Sequence, residues 1–142
     1  MPLSAEDRLD IQELMAQYAN AVDVDGREED LYEIFTDDAV LDSPMSGKFA
    51  GREGLKRFGR VVGQMRVVEI GRHFITNLRI KGDGDRATFK AYFFHSSTPR
   101  DPVSPGARRA TTVSNAGCYD CAARKIGGRW WLERRTVFVD NC

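Results

Sequence analysis

Apolar positions follow one period in the first half of the chain and another in the second. Ser4 and Asp7 make a capping-box-like start, and Ile11, Leu14, Met15, Tyr18 and Val22 then recur at helical spacing, which predicts a first helix over about Ala5 to Val22. Asp25-Gly26-Arg27 turns the chain. Leu31, Ile34 and Phe35 predict a short second helix ending near Asp37-Asp38, and Ala39 to Ser43 reads as a first strand. Gly51 opens a third helix with a narrow stripe of Leu55, Phe58 and Val62, and Gly63 is expected to help end it.

From Arg72 the period becomes two. Arg72 to Lys81 and Arg86 to Ser96 predict strands, and Gly82-Asp83-Gly84-Asp85 between them has hairpin-turn chemistry, so the two should be antiparallel neighbours. Ser97 to Gly106, with Pro99, Pro102 and Pro105, predicts a loop and a candidate lid. Two further strands follow, about Ala107 to Lys125 and Arg129 to Asp140, joined at Gly127-Gly128. Helices first and an antiparallel meander last imply an α+β fold with helices on one face of the sheet. A strongly twisted sheet can curl around that layer and leave a cavity.

The 142 residues fit one domain, 1–142, with one site. Lys plus Arg (21) balance Asp plus Glu (21), so no net field favours a nucleic acid or an anionic membrane. No apolar stretch reaches the length of a bilayer span, and the first residues carry no basic segment followed by an apolar core; the expectation is a cytoplasmic protein. Cys118, Cys121 and Cys142 form no even-numbered framework, which agrees with a reducing compartment. Cys118-Tyr119-Asp120-Cys121 has the outline of a redox or zinc motif. On a strand, however, residues three apart point to opposite faces and no second Cys/His pair completes a tetrahedral site, so two small packed side chains and no metal are expected.

Chemistry concentrates at a few positions. Ala87, Phe89, Ala91, Phe93 and His95 share one strand face, which places an imidazole at the end of an apolar row, where it is less well solvated than in water. His73 begins the neighbouring strand. Tyr18 and Asp23 stand near the end of the first helix, where the helix dipole gives a carboxylate no support. Asp23 is therefore either a solvated turn residue or a group aimed into the cavity. In the second case a carboxylate beside an imidazole fixes its tautomer, and the imidazole can take a proton from carbon and return it. Tyr18 is either ordinary core or a donor to a carbonyl or enolate oxygen. Met15, Phe35, Phe58, Met65, Phe89 and Phe93 are candidate apolar walls for a substrate.

With these residues in place the chain resembles the SnoaL-like branch of the nuclear-transport-factor-2-like superfamily. The likeness rests on Ile11 to Leu14 through Tyr18 to Asp23, Leu31 to Val40, Gly51 to Gly54, His73 to Ile80, Gly117 to Asp120 and Trp130 to Arg135. It implies a cystatin-like cone, three N-terminal helices packed in a strongly curved, mixed, mostly antiparallel sheet. Tyr18, Asp23 and His73 look like the arrangement of scytalone dehydratase, bile-acid dehydratases and hexachlorocyclohexane dehydrochlorinase. That resemblance implies an Asp23–His73 dyad with His73 abstracting the proton, Tyr18 as the helix-one tyrosine, His95 where a second acidic or imidazole group stands, and no cofactor.

The expected function is thus a dehydratase-type lyase acting on a small hydrophobic cyclic or aromatic molecule. Two alternatives stay open: an isomerase or polyketide cyclase in which Asp23 itself moves the proton, and a ligand-binding protein without chemistry. The resemblance also implies a dimer or trimer packed through the outer face of the sheet, to which Tyr92, Phe94, Val113, Trp130, Trp131, Phe138 and Val139 are assigned.

Overall fold

The Ser4 hydroxyl accepts the Asp7 N–H at 3.0 Å while Asp7 Oδ2 accepts the Ser4 N–H at 3.0 Å, the reciprocal cap that their spacing predicts. In the computed structural model, which describes residues 1–100, 106 and 108–141, helix α1 accordingly runs over Ala5–Val22 and buries Ile11, Leu14, Met15, Tyr18 and Val22. Asp7 also accepts from Lys125 Nζ at 2.9 Å and Trp130 Nε1 at 3.0 Å, which ties the start of the helix to the sheet.

Helix α2 (Glu28–Tyr32) stops earlier than predicted, and strand β1 (Phe35–Ser43) starts earlier. Ile34 and Phe35 fit helical spacing to Leu31, but the Leu132 N–H donates to the Ile34 carbonyl at 2.9 Å and Phe35 pairs with Leu132. That long-range ladder overrides the local pattern. Strand β2 (Gly47–Ala50) was not predicted: only Phe49 of its four residues is buried, too little for alternation to show. Helix α3 (Gly51–Val68) continues through Gly63, where an end was expected. One glycine costs a helix about 1 kcal/mol, whereas burying each of Leu55, Phe58 and Val62 stabilises by roughly 1.5–3 kcal/mol.

Strands β3 (Glu69–Asp83), β4 (Arg86–Pro99), β5 (Thr112–Ile126) and β6 (Arg129–Val139) complete a six-stranded sheet in the order β2-β1-β6-β5-β4-β3. Only the β1–β6 pairing is parallel, and the helices pack against the sheet. Gly127 and Gly128 join β5 to β6 with φ of 59° and 80°, values that favour glycine. Irregularities in register interrupt β3, β4 and β5 and their partners, which bends the strands and increases their twist.

Some expectations change here. Ser97 to Pro99 extend β4 rather than beginning a loop, and β5 starts at Thr112, not near Ala107; Pro102 and Pro105 of the candidate lid lie outside the described residues, as does Cys142. Trp130 is 3% exposed and belongs to the core, not the outer face, and Val139 lines a cavity. Cys118 is half-buried and Cys121 fully buried on β5, and burial pushes the Cys121 thiol pKa up to about 12. No helix among the described residues is long and apolar enough to cross a membrane.

Candidate active site

Asp23 caps the C-terminal end of α1 in extended backbone (φ −83°, ψ −175°), and the next residue, Val24, donates its N–H to the Gly71 carbonyl of β3 at 3.2 Å. This link brings the end of the helix against the strand that carries His73. Asp23 Oδ1 accepts the His73 backbone N–H at 2.9 Å and stands 2.7 Å from His73 Nδ1. Both side chains are largely buried, 12% and 21% exposed. From α3, Arg66 donates Nε–H to the Asp23 carbonyl at 2.9 Å and Nη2–H to the Ala21 carbonyl, so a cation covers the negative end of the helix dipole.

His95 sits opposite His73 in the β3–β4 register, with ring centroids 4.6 Å apart. Its Nδ1 is 2.6 Å from Ser114 Oγ and its Nε2 3.6 Å from Glu69 Oε1. Burial lowers the His95 pKa below the ordinary histidine value, and His73 beside it lowers it further, against the opposing pull of Glu69 and Asp23.

Tyr18 is 1% exposed, and its hydroxyl accepts the Arg135 Nη1–H at 2.9 Å. Arg135 is 4% exposed, and its guanidinium carbon lies 5.3 to 5.9 Å from the ring centroids of Phe58, Tyr18 and Tyr119. Arg135 Nε and Nη2 have no hydrogen-bond partner among the described residues. Burial holds the Tyr119 hydroxyl well above the usual tyrosine value, hence neutral.

These groups line one cavity of about 280 Å³. Tyr18, Asp23, His73, His95, Asn115 and Arg135 supply its polar wall; Val22, Phe58, Val62, Met65, Phe93 and Tyr119 supply much of the apolar one. Of the six predicted wall residues, Phe58, Met65 and Phe93 stand there. Phe35 and Phe89 are corrected to the core, because their strand faces pack fully into it. Met15 likewise points away from this cavity and borders a second one between α1 and β3, with Gln12, Asn20, Thr76, Asn77 and His73.

Sequence reasoning missed Arg135 and Glu69. From buried Trp130 and Leu132, strict alternation would turn Arg134 inward. Between Leu132 and Arg134, however, β6 advances two residues while β5 advances one, and this bulge reverses the phase. Arg134 instead donates to Asp120 at 3.0 Å near the surface and Arg135 enters the core. Glu69 was missed because β3 starts three residues before the predicted strand.

The pattern of the SnoaL-like domain matches residues 3–136. Over 91 residues the chain is 34% identical to an uncharacterized protein, Rv2910c, of Mycobacterium tuberculosis, an alignment that covers 63% of this chain and 59% of that protein. A cystatin-like-fold protein of unknown function from Nostoc punctiforme superposes with a TM-score of 0.76 at 28% identity, covering 99% of this chain and 96% of the other. Hexachlorocyclohexane dehydrochlorinase LinA-type3 from Novosphingobium barchaimii superposes with a TM-score of 0.74 at 21% identity, over 95% of this chain and 87% of the other, a likeness of fold.

Proposed function

We propose, from the premise that this chain belongs to the SnoaL-like domain family, that it is a lyase eliminating water from a small hydrophobic ring compound. The reading is carried by one observation, the grip of Asp23 Oδ1 on both N–H groups of His73. With Nδ1–H donated to Asp23, His73 keeps the lone pair of Nε2 as the free base. Nε2 takes a proton from a ring carbon; the electron pair left behind forms the C=C bond, and the C–O bond opposite breaks. The departing hydroxyl takes a proton from His95 and leaves as water, so atoms and charge balance.

Arg135 supports the same chemistry. Because the Tyr18 hydroxyl oxygen accepts the Arg135 Nη1–H, the hydroxyl can still donate its own hydrogen to a substrate oxygen, and the adjacent cation favours negative charge developing there. The cavity volume and the aromatic rings of Phe58, Phe93 and Tyr119 suit a compact ring with few polar groups. The outer face, where Phe74, Tyr92, Phe94, Val113 and Phe138 are exposed, is assigned to contact between copies of the chain.

The test is turnover of hydroxylated ring compounds, followed by the absorbance of the new conjugated double bond. His73→Ala should abolish it, and a His73→Ala protein with full activity overturns the assignment of the base. Loss in Asp23→Asn with full activity in His73→Ala would instead favour an isomerase in which the carboxylate moves the proton.

A further inference from the structure

We infer that Glu69 is a second positioning carboxylate, which favours the imidazolium of His95 against the cost of its burial, so that an acid faces the base across the cavity. The inference deepens the proton-transfer reading above and rests on it for its catalytic meaning. Its structural content rests on the contacts around His95 and Glu69.

The first contact fixes a proton. Ser114 Oγ donates to the His95 carbonyl at 3.2 Å, which commits its single hydrogen. The same oxygen lies 2.6 Å from His95 Nδ1, so there it accepts, and Nδ1 carries a hydrogen. A neutral ring of that tautomer would turn the bare lone pair of Nε2 towards Glu69 Oε1, 3.6 Å away. Two acceptors facing one another repel. Protonation of Nε2 removes the conflict: Nδ1–H donates to Ser114, Ser114 donates to the carbonyl, and Nε2–H stands beside the Glu69 carboxylate, at 3.6 Å too far for a hydrogen bond and so left to donate to a departing hydroxyl.

Glu69 is itself held in place. Ser97 Oγ donates to Glu69 Oε2, and the Glu69 carbonyl accepts from Arg100 Nε at 3.3 Å. The space for the couple comes from Gly71. A Cβ at that position would stand 2.6 Å from His95 Nε2 and 3.3 Å from Glu69 Oε1, closer than the imidazole tolerates. Strand β3 thus carries carboxylate, gap and base at positions 69, 71 and 73, and the cavity holds two carboxylate–imidazole couples whose rings lie 4.6 Å apart. One is set to accept a proton and the other to donate one.

The groups facing His95 are Glu69 and His73 from β3, Asp23 from the end of α1, and uncharged Ser114 and Asn115 from β5; Arg66 and Arg135 line the same cavity. Desolvation and His73 work against the imidazolium, and the carboxylates, with Glu69 the stronger contribution of the two, work for it. Removing the Glu69 charge therefore lowers the His95 pKa.

The chain has two histidines, so ¹⁵N-histidine labelling with long-range ¹H–¹⁵N spectra resolves both rings, and His73→Gln assigns them. We expect Nδ1 of His95 to carry a proton in the neutral form, and Glu69→Gln to lower the His95 pKa by about one pH unit or more. Glu69→Asp should recover part of the shift. Gly71→Ala, which presses on Nε2, should move His95 the same way as Glu69→Gln. In turnover, the high-pH limb of the rate profile should move to lower pH in Glu69→Gln with KM little changed. An unmoved His95 pKa in Glu69→Gln, or an Nε2–H tautomer in the neutral ring, overturns the inference. The shift without turnover of any ring compound supports the couple and overturns only the elimination reading.

Discussion

Asp23 Oδ1 accepts two hydrogen bonds from His73, one from the backbone at 2.9 Å and one from the ring at 2.7 Å. The double contact fixes both the position of the strand under the ring and the tautomer of the ring. Asp23→Asn keeps an oxygen for the backbone N–H but replaces the carboxylate that orients the His73 ring with a neutral amide. Turnover should fall by roughly 10²–10⁴-fold, the range over which a positioned general base acts, with the thermal midpoint little changed. Steady-state kinetics beside a thermal melt checks this, and unaltered kcat in a folded Asp23→Asn protein would remove the dyad.

Arg135 offers a different separation of stability from activity. Its buried guanidinium forms no salt bridge among the described residues and leaves Nε and Nη2 unpartnered. An apolar side chain of similar length should then be tolerated or stabilising, since an imperfectly satisfied buried charge is costly. Arg135→Met is expected to melt at or above the wild-type temperature and to lose about 10²–10³-fold in kcat, the usual effect of removing one donor from a developing oxyanion. Arg135→Lys should not restore the rate, because an ammonium cannot lie flat among three rings.

These two sites differ in how far the sequence discloses them. Asp23 and His73 lie at an element end and a strand start, so spacing and resemblance could nominate both without coordinates. Arg135 was hidden by a bulge, because a single extra residue in β6 exchanges the faces of Arg134 and Arg135 and nothing in Leu132-Glu133-Arg134-Arg135 marks it. Helix α1 was legible to the residue because Ser4 and Asp7 signal its start locally and Val22 ends the stripe. Helix α2 and strand β1 were not, since Phe35 chooses the strand through Leu132, nearly a hundred positions away. Local chemistry is written in the sequence more plainly than long-range register.

Asp7 gives a prediction on pH. Lys125, then Trp130 and Ser4, hydrogen-bond its carboxylate and hold its pKa well below the usual range. A depressed folded pKa means the contribution to stability is present above the unfolded value of about 3.9 and is lost as pH falls through the folded one. Asp7→Asn should therefore destabilise the protein at neutral pH by several degrees in thermal midpoint. The gap between variant and wild type should narrow as acid is added below pH ~4. Thermal melts across that range test it; a gap that widens on acidification contradicts the sign.

Phe74 and Phe94, paired across β3 and β4, stack at 4.6 Å with ring planes 12° apart, yet are 43% and 40% exposed. Tyr92 and Phe138, both opposite Cys118 in register, extend the same face across β5 to β6 and are more exposed still. Apolar side chains gathered on one sheet face are costly to leave in water, and association between copies covers them at roughly 25 cal/mol for each Å² removed. The wild type should therefore sediment as an oligomer, and Phe94→Glu, which places a charge in the middle of the face while leaving the cavity untouched, should sediment as a monomer that keeps its fold by circular dichroism. A wild type that remains monomeric at high concentration would show that this face serves no contact between copies.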